Sequence, residues 1–493
     1  MVTIDQTEKR VEEIIDGLKS TGSRIKDLKA FKQEIVKEIK KDKSMKEILE
    51  ETSDTLVQMI NEFLNAKNYQ NVDLITGISY SLYMPSYIGD GSYTLNILGG
   101  NTGRKIVLPT ELMQKKYPHS NTVRIDDKDS RNVVSVIGKD TRFDAASITK
   151  MFTLLLTYKL EEMGYIKLDD KISDLNPNFS TLGDFTVRDL IRLHGDIGTF
   201  ELDENGEVKR DSDGKPIYAR IDKLGQTTEE VYDILYNNFR VLDNTRKTNK
   251  YTDMGAIVLG DTLAKVVSRK LNTRMSFEEI MNKYIIKPLG LSRTCFNLDP
   301  NPANITGNIS GNNGLEVQDG KARNLGGAAG HAGLLITAND SIILSDYVFK
   351  HPELAAKLGE RTFRGNRRGN LGMYLKDNGY PKTTFVPREF SKGSFAAQGY
   401  TGSAMMFDPV NYIYNGIFVN TICEDYTGKT YKPGSNPELT EEQYQEWDGF
   451  MPTFERLQSG ATREGMKQYV IKKYYNKLGI STDVLISRRV YKD

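Results

Sequence analysis

Ser147 and Lys150 stand three residues apart in Phe143-Asp-Ala-Ala-Ser147-Ile-Thr-Lys150-Met-Phe-Thr-Leu-Leu-Leu156. A serine hydroxyl is a weak nucleophile at neutral pH and needs a group to take its proton. An amine three residues further along a helix lies on the same face, one turn away. The run from Met151 to Leu156 is apolar at nearly every position, which reads as a helix buried in a core. Desolvation there disfavours an ammonium, so a partly neutral Lys150 is expected to act as general base toward Ser147. Ser-x-x-Lys by itself is a common chance match, and its weight depends on what accompanies it.

A second stretch, Lys250-Tyr251-Thr-Asp253-Met-Gly-Ala-Ile-Val-Leu-Gly260, sets a phenol and a carboxylate two residues apart before an apolar helical run. Tyr251 could share the Ser147 proton and relay it to a leaving group, and Asp253 could hold Lys150 by a charge-assisted hydrogen bond. The plainer alternative is an aromatic residue and an acidic cap at a helix start.

These residues need a large scaffold, and 493 residues supply one, as a single domain with insertions or as two domains. Basic and acidic side chains number 67 and 66, a net charge of +1, so the overall field gives no reason to expect nucleic acid or an anionic membrane as partner. Two distant cysteines, Cys295 and Cys423, exclude a disulfide-rich scaffold and a multi-cysteine metal site. His119, His194 and His351 are scattered without zinc-type spacing, so no metal or cofactor is expected. The N-terminus turns charged before a signal-peptide core could form and no apolar run is long enough to span a bilayer. A cytoplasmic location is therefore expected, although a chain whose signal had been removed would read the same.

Residues 1–70 form an expected amphipathic extension, with Val11, Ile14, Ile15 and Leu18 and later Leu56, Met59, Ile60, Phe63 and Leu64 at helical spacing. Packing on its own domain is the favoured role; a partner or self-association surface is the alternative. Residues 71–493 are expected to form the main domain. Strand-like runs at 74–84, 93–98 and 133–137 lead into the Ser147 helix, and a mostly helical subdomain follows over about 160–320. Within it the polar segment 203–215, with Asp213-Gly214, reads as an exposed loop or small hairpin. Runs at 403–407 and 412–419 form a hairpin across Asp408-Pro409-Val410-Asn411. Residues from about 424 to 450 read as an insertion, and Arg463 to Leu478 as a closing helix.

With both stretches in hand, the chain resembles the penicillin-recognising serine hydrolases, in the branch of class C β-lactamases, D-alanyl-D-alanine carboxypeptidases and related esterases. Ser147-Ile-Thr-Lys150 matches that superfamily's Ser-x-x-Lys, and Tyr251-Thr-Asp253 its Tyr-x-Asn with aspartate for asparagine. Phe185-Thr-Val-Arg-Asp-Leu-Ile-Arg-Leu-His194-Gly, Lys287-Pro-Leu-Gly-Leu and Gly326-Gly-Ala-Ala-Gly-His331-Ala-Gly-Leu-Leu-Ile-Thr-Ala-Asn-Asp340 resemble three further family segments, in order, between about residues 72 and 420. The resemblance implies a β-lactamase-like α/β fold: an antiparallel sheet flanked by helices, with the inserted helical subdomain. It also implies an acyl-enzyme on Ser147, with Lys150 and Tyr251 as base and acid.

The family's third element, Lys-Thr-Gly or His-Thr-Gly on a strand, falls on Ala397-Gln398-Gly399 when counted back from Asp408-Pro409; Tyr400-Thr401-Gly402 is a second register. In the first, the oxyanion hole would be the backbone N–H groups of Ser147 and Tyr400, with Gln398 and Gly399 at the substrate. Ala397 offers no cation, which points to a neutral acyl substrate. Asp319 and His331 lie in a segment resembling the active-site wall of esterase-like relatives, where His331 would bind substrate or assist proton transfer; a histidine satisfied inside a glycine-rich loop is the alternative. A small-molecule or peptide-like ester or amide is the expected substrate. A β-lactamase or D-Ala-D-Ala peptidase, and a non-catalytic binding protein on the same fold, are the competing readings.

Overall fold

The protein is described by a computed structural model over residues 57, 77–85, 92–100, 137, 140–223, 226–248, 250–296, 308–309, 317, 319–362, 368–376, 386, 390, 393–410 and 412–419. All but Val57 of the expected N-terminal helices, the 424–450 insertion, the closing helix and all but Ile137 of the 133–137 run fall outside these residues.

Six strands form an antiparallel sheet in the order β2-β1-β11-β10-β9-β8, comprising β1 (Gly77–Pro85), β2 (Ser92–Gly100), β8 (Tyr374–Leu375), β9 (Phe395–Gln398), β10 (Ala404–Asp408) and β11 (Ile413–Val419). The sheet thus joins the two ends of the domain, with Tyr80 opposite Ile417 and Ala397 opposite Met405. Ile78, Tyr80 and Leu82 of β1 alternate with Ser79 and Ser81, and all five are buried, so both faces of this strand are covered. On the serine face, Tyr83 donates to Asp346 at 3.0 Å and its ring lies 6.0 Å from that of Phe349. Both partners belong to a long helix, Ala338–Lys350, that crosses β1 and β11.

The Ser147 helix, α1 (Thr149–Glu162), buries eleven residues from Thr149 to Leu160, on all its sides, as its continuous apolar run requires. Its few polar residues are satisfied locally. Thr153 Oγ1 donates to Gly330 O at 2.6 Å, and Thr149 Oγ1 accepts from Leu334 N at 3.3 Å, which seats the glycine-rich segment 326–337 along one stripe of α1. On its other side that segment abuts the helix Met254–Leu271, where a Cβ on Gly330 would lie 1.9 Å from Ala256 O. Only a glycine permits this approach.

Between α1 and Leu271 the regular structure is chiefly helical, with α2 (Thr228–Asn237) and α3 (Met254–Leu271) as its main helices, but less than half of the stretch is helix, short of the mostly helical subdomain expected. It also carries a short antiparallel pair, β4 (Asp196–Thr199) with β5 (Phe239–Asp243), that the helical pattern conceals. Residues 203–215 form an exposed, hairpin-like excursion with bridges Leu202–Val208 and Arg210–Pro216. A three-stranded sheet completes the described fold. In it β3 (Arg142–Asp144) lies between β6 (Asn308–Ile309) and β7 (Leu335–Ile336), delivering the chain to Ser147. No helix among the described residues is long and apolar enough to cross a membrane.

Candidate active site

The backbone turns sharply between β3 and α1. Ala146, immediately before Ser147, has φ of 44°, a left-handed conformation that costs an alanine about 1–2 kcal/mol. The turn is pinned from three directions: Asp144 Oδ1 accepts from Ala146 N at 2.8 Å, Leu334 O from Ala145 N at 2.8 Å, and Asp144 O from Thr401 Oγ1 at 2.7 Å. These contacts hold the strained residue and fix where the Ser147 hydroxyl points.

Two side chains converge on that hydroxyl. Lys150 Nζ donates to Ser147 Oγ at 2.8 Å and Tyr251 OH donates to it at 3.0 Å. Lys150 is fully buried, whereas Tyr251 is 38% exposed, so the cluster opens to solvent on the tyrosine side. Asp253 occupies the N-cap position of α3 but makes no capping bond; its Oδ1 accepts from Lys150 at 2.8 Å. Burial draws the Lys150 pKa down, as expected from the sequence. Asp253, and after it Tyr251, outweighs that, so the net displacement is upward and Lys150 is held as an ammonium through neutral pH. The expectation of a partly neutral lysine is thus corrected, because its ion-pair partner could not be weighed from an apolar run.

Behind Asp253 lies a network that the motifs do not reveal. Lys321 Nζ donates to Asp253 Oδ2 at 2.9 Å, so one carboxylate bridges two ammonium groups. Asp319 Oδ1 caps α4 (Gly320–Asn324) through Ala322 N at 2.9 Å and also meets His331 Nε2 at 2.8 Å. Burial works against charge on both carboxylates. For Asp253 the Lys150 ammonium, His331 and Lys321 prevail, and for Asp319 His331 and then Lys321 do; both are held well below the usual carboxylate range. Of the two readings of His331, its 1% exposure favours the histidine held inside the glycine-rich loop, where it braces Asp319 from beneath. Among the described residues, Asp253, Asp319 and His331 form the cluster with metal-type donors, within 4.8 Å of one another. Both oxygens of Asp253 already accept from ammonium groups and Asp319 meets His331, which makes this an ion-pair network.

His194 is also accounted for locally. It contacts Asp189 Oδ1 at 2.9 Å, and Asp189 closes a capping box with Thr186. A further residue absent from the motifs, Arg368, lays its guanidinium 4.0 Å from the centre of the Tyr251 ring, while Lys150 Nζ lies 4.9 Å from it. Neither Lys321 nor Arg368 was singled out by its spacing: Lys321 stands two residues after Asp319 in a segment already marked for Asp319 and His331, and Arg368 reaches the site from another segment.

The third element divides at Gln398. β9 ends there, and residues 399–403 form a tight turn in which Gly399 N donates to Ser403 O at 2.7 Å and Gly402 N to Gly399 O at 3.1 Å. Ala397-Gln398-Gly399 is therefore the strand end, and Tyr400-Thr401-Gly402 the turn. A Cβ on Gly399 would stand 2.5 Å from Ala145 O, so this strand end presses on the residues leading into Ser147. Tyr400 is exposed and Gln398 half-buried. Ala397 is fully buried in the core that includes Phe395 and Met405, so a lysine introduced there would have to enter packed side chains.

The Beta-lactamase family model matches residues 124–423, more than half of the chain and all of the residues described around Ser147. The chain belongs to the Beta-lactamase family. Members of that family are in general serine hydrolases, and membership gives this chain a serine-hydrolase-like function in those general terms. Among curated proteins, Beta-lactamase-like protein 4 of Dictyostelium discoideum is 26% identical over 179 residues, 36% of this chain; the match spans 30% of that protein's length. Among solved structures, EstCE1, described as a hydrolase with promiscuous acyltransferase activity, superposes with a TM-score of 0.50 at 16% identity, over 76% of this chain and 94% of that one. A class C β-lactamase in complex with cefoxitin gives 0.49 at 12% identity, over 83% and 98%. At such identities the likeness to EstCE1 speaks for the fold, a β-lactamase-like antiparallel sheet with flanking helices, and not for a substrate.

Proposed function

We propose that this Beta-lactamase family member is an esterase or amidase that forms an acyl-enzyme on Ser147. The observation that carries the reading is the convergence of Lys150 Nζ and Tyr251 OH on one hydroxyl, at 2.8 and 3.0 Å. Ser147 Oγ attacks the acyl carbonyl carbon as its proton passes to the Lys150–Tyr251 pair; the same proton then reaches the leaving alkoxide or amine. A water, deprotonated by that pair, attacks the ester so formed and returns Ser147 to its starting state. The backbone N–H groups of Ser147 and Tyr400 are the proposed oxyanion donors, a role that needs no particular side chain.

Lys150 must first release its own proton to accept another, and Asp253 holds that proton on. The base form is therefore a minority at neutral pH, and activity is expected to climb with pH. The substrate reading is a small neutral acyl group, because the strand end beside Ser147 lacks the cation of the family's Lys-Thr-Gly or His-Thr-Gly, Ala397 being turned into the core. No cofactor or metal enters the scheme.

Labelling by a fluorophosphonate probe tests the reading. Modification of Ser147 in the wild type, absent in Ser147→Ala, supports it, and p-nitrophenyl acetate is expected to turn over faster than nitrocefin. A folded wild type that takes no label at Ser147 would leave the fold serving as a binding protein. Nitrocefin turning over faster would move the substrate class to β-lactams.

A further inference from the structure

We propose that Lys321 is a positioning residue that sets how readily Lys150 yields its proton, by occupying the second oxygen of Asp253. This deepens the reading of Lys150 as the proton acceptor for Ser147 and rests on it. The geometry is of one carboxylate between two ammonium groups, Lys150 on Oδ1 at 2.8 Å and Lys321 on Oδ2 at 2.9 Å. A carboxylate paired with Lys150 alone would spend its whole field holding that lysine protonated, and a buried base that cannot shed its proton is no base. A second cation on the same carboxylate cancels much of that field where Lys150 feels it.

The surrounding charges leave this task to Lys321. Lys150 faces the Ser147 and Tyr251 hydroxyls and Asp253, with Arg368 reaching it only across the Tyr251 ring. Asp319, joined to His331, adds a second negative charge next to Asp253, and Asp222 lies further out beside Lys321. Without Lys321, two carboxylates would act on Lys150 with His331 as the remaining basic group behind them. Lys321 itself keeps its charge: burial draws its pKa down, but Asp319 and Asp253 raise it further. The chain supplies this cation from α4, whose first turn Asp319 caps, so the carboxylate that His331 braces also aims Lys321 at Asp253.

The test is the pH dependence of Ser147 labelling by a fluorophosphonate in the full chain. Lys321→Met is expected to move the rising limb of the rate upward by about one pH unit, which reads as labelling about tenfold slower at a fixed pH on that limb. Lys321→Arg, which keeps the charge, should restore most of the rate. Asp253→Asn should move the limb the other way, and Lys321→Met with Asp253→Asn should bring it back down from the single variant's position. A wild type that labels normally beside a Lys321→Met whose limb is unmoved or lowered overturns the inference alone. If Lys321→Met does not fold, Asp253→Asn decides: a limb that fails to fall refutes the proposal. A wild type in which Ser147 takes no label at any pH overturns the hydrolase reading, and the inference with it.

Discussion

Replacing Lys150 by methionine keeps nearly the same volume in a fully buried site while removing the one nitrogen that touches both Ser147 Oγ and Asp253 Oδ1, each at 2.8 Å. A positioned general base is worth roughly 10²–10⁴ in rate, so kcat/KM for p-nitrophenyl acetate and the labelling rate should both fall by about that factor. The stability cost is bounded by the structure. Breaking a buried ion pair from one side costs about 3–5 kcal/mol when the stranded charge has no other partner. Here Asp253 is 24% exposed and keeps Lys321 on its other oxygen, so the loss should be at or below about 3 kcal/mol. The pH profile separates a lost base from a damaged fold. In the wild type the upward displacement of Lys150 places its rising limb above neutrality, so log kcat/KM should climb by about one unit per pH unit between about pH 6 and 9. Lys150→Met should be flat over that range as well as slow. A variant that melts cooperatively and still labels within tenfold of wild type, or that retains the slope, would refute the role given to Lys150.

Ser147→Ala should abolish labelling and ester hydrolysis while its melting temperature stays close to wild type, since the hydroxyl is small; residual turnover above a tenth of wild type would place the nucleophile elsewhere. Gly399→Ala should destabilise the protein by about 1–3 kcal/mol and slow acylation, because its Cβ would stand 2.5 Å from Ala145 O and something must shift beside Ser147. A neutral effect on both in denaturant melts and labelling would show that β9 does not press on the nucleophile's turn. Asp189→Asn should cost about 1–3 kcal/mol at neutral pH through weakened bonds to Thr186, His194 and Arg246. Although burial raises the Asp189 pKa, its hydrogen bonds from His194, Thr186 and Arg246 hold it below the ordinary carboxylate value. The wild type's advantage should therefore be full above about pH 5 and shrink as pH falls below about 4, which urea melts at several pH values would read.

What the sequence disclosed was what short-range pattern can carry. The apolar run after Lys150 required a helix buried on all sides, and α1 is one; the 403–407 and 412–419 runs on either side of Asp408-Pro409 are β10 and β11, paired in register. The pair β4 and β5 stayed hidden because four- and five-residue strands inside helical surroundings have too few positions to show an alternation. At the site, Ser147 and Lys150 were legible because one helical turn fixes their separation, and Tyr251 and Asp253 because they follow one another before α3. The protonation of Lys150 was not legible, and the reason is physical. Burial is written in the neighbouring sequence, but the opposing field comes from Asp253, 103 residues away, and its strength depends on who else shares that carboxylate. Lys321 reaches Asp253 from 68 residues further on, and Arg368 reaches the Tyr251 ring from another segment still. A one-dimensional pattern assigns types to positions, whereas the balance of charge around a nucleophile is a sum over segments that only the folded chain brings together. In this protein that sum reverses the sign of the Lys150 shift expected from desolvation alone.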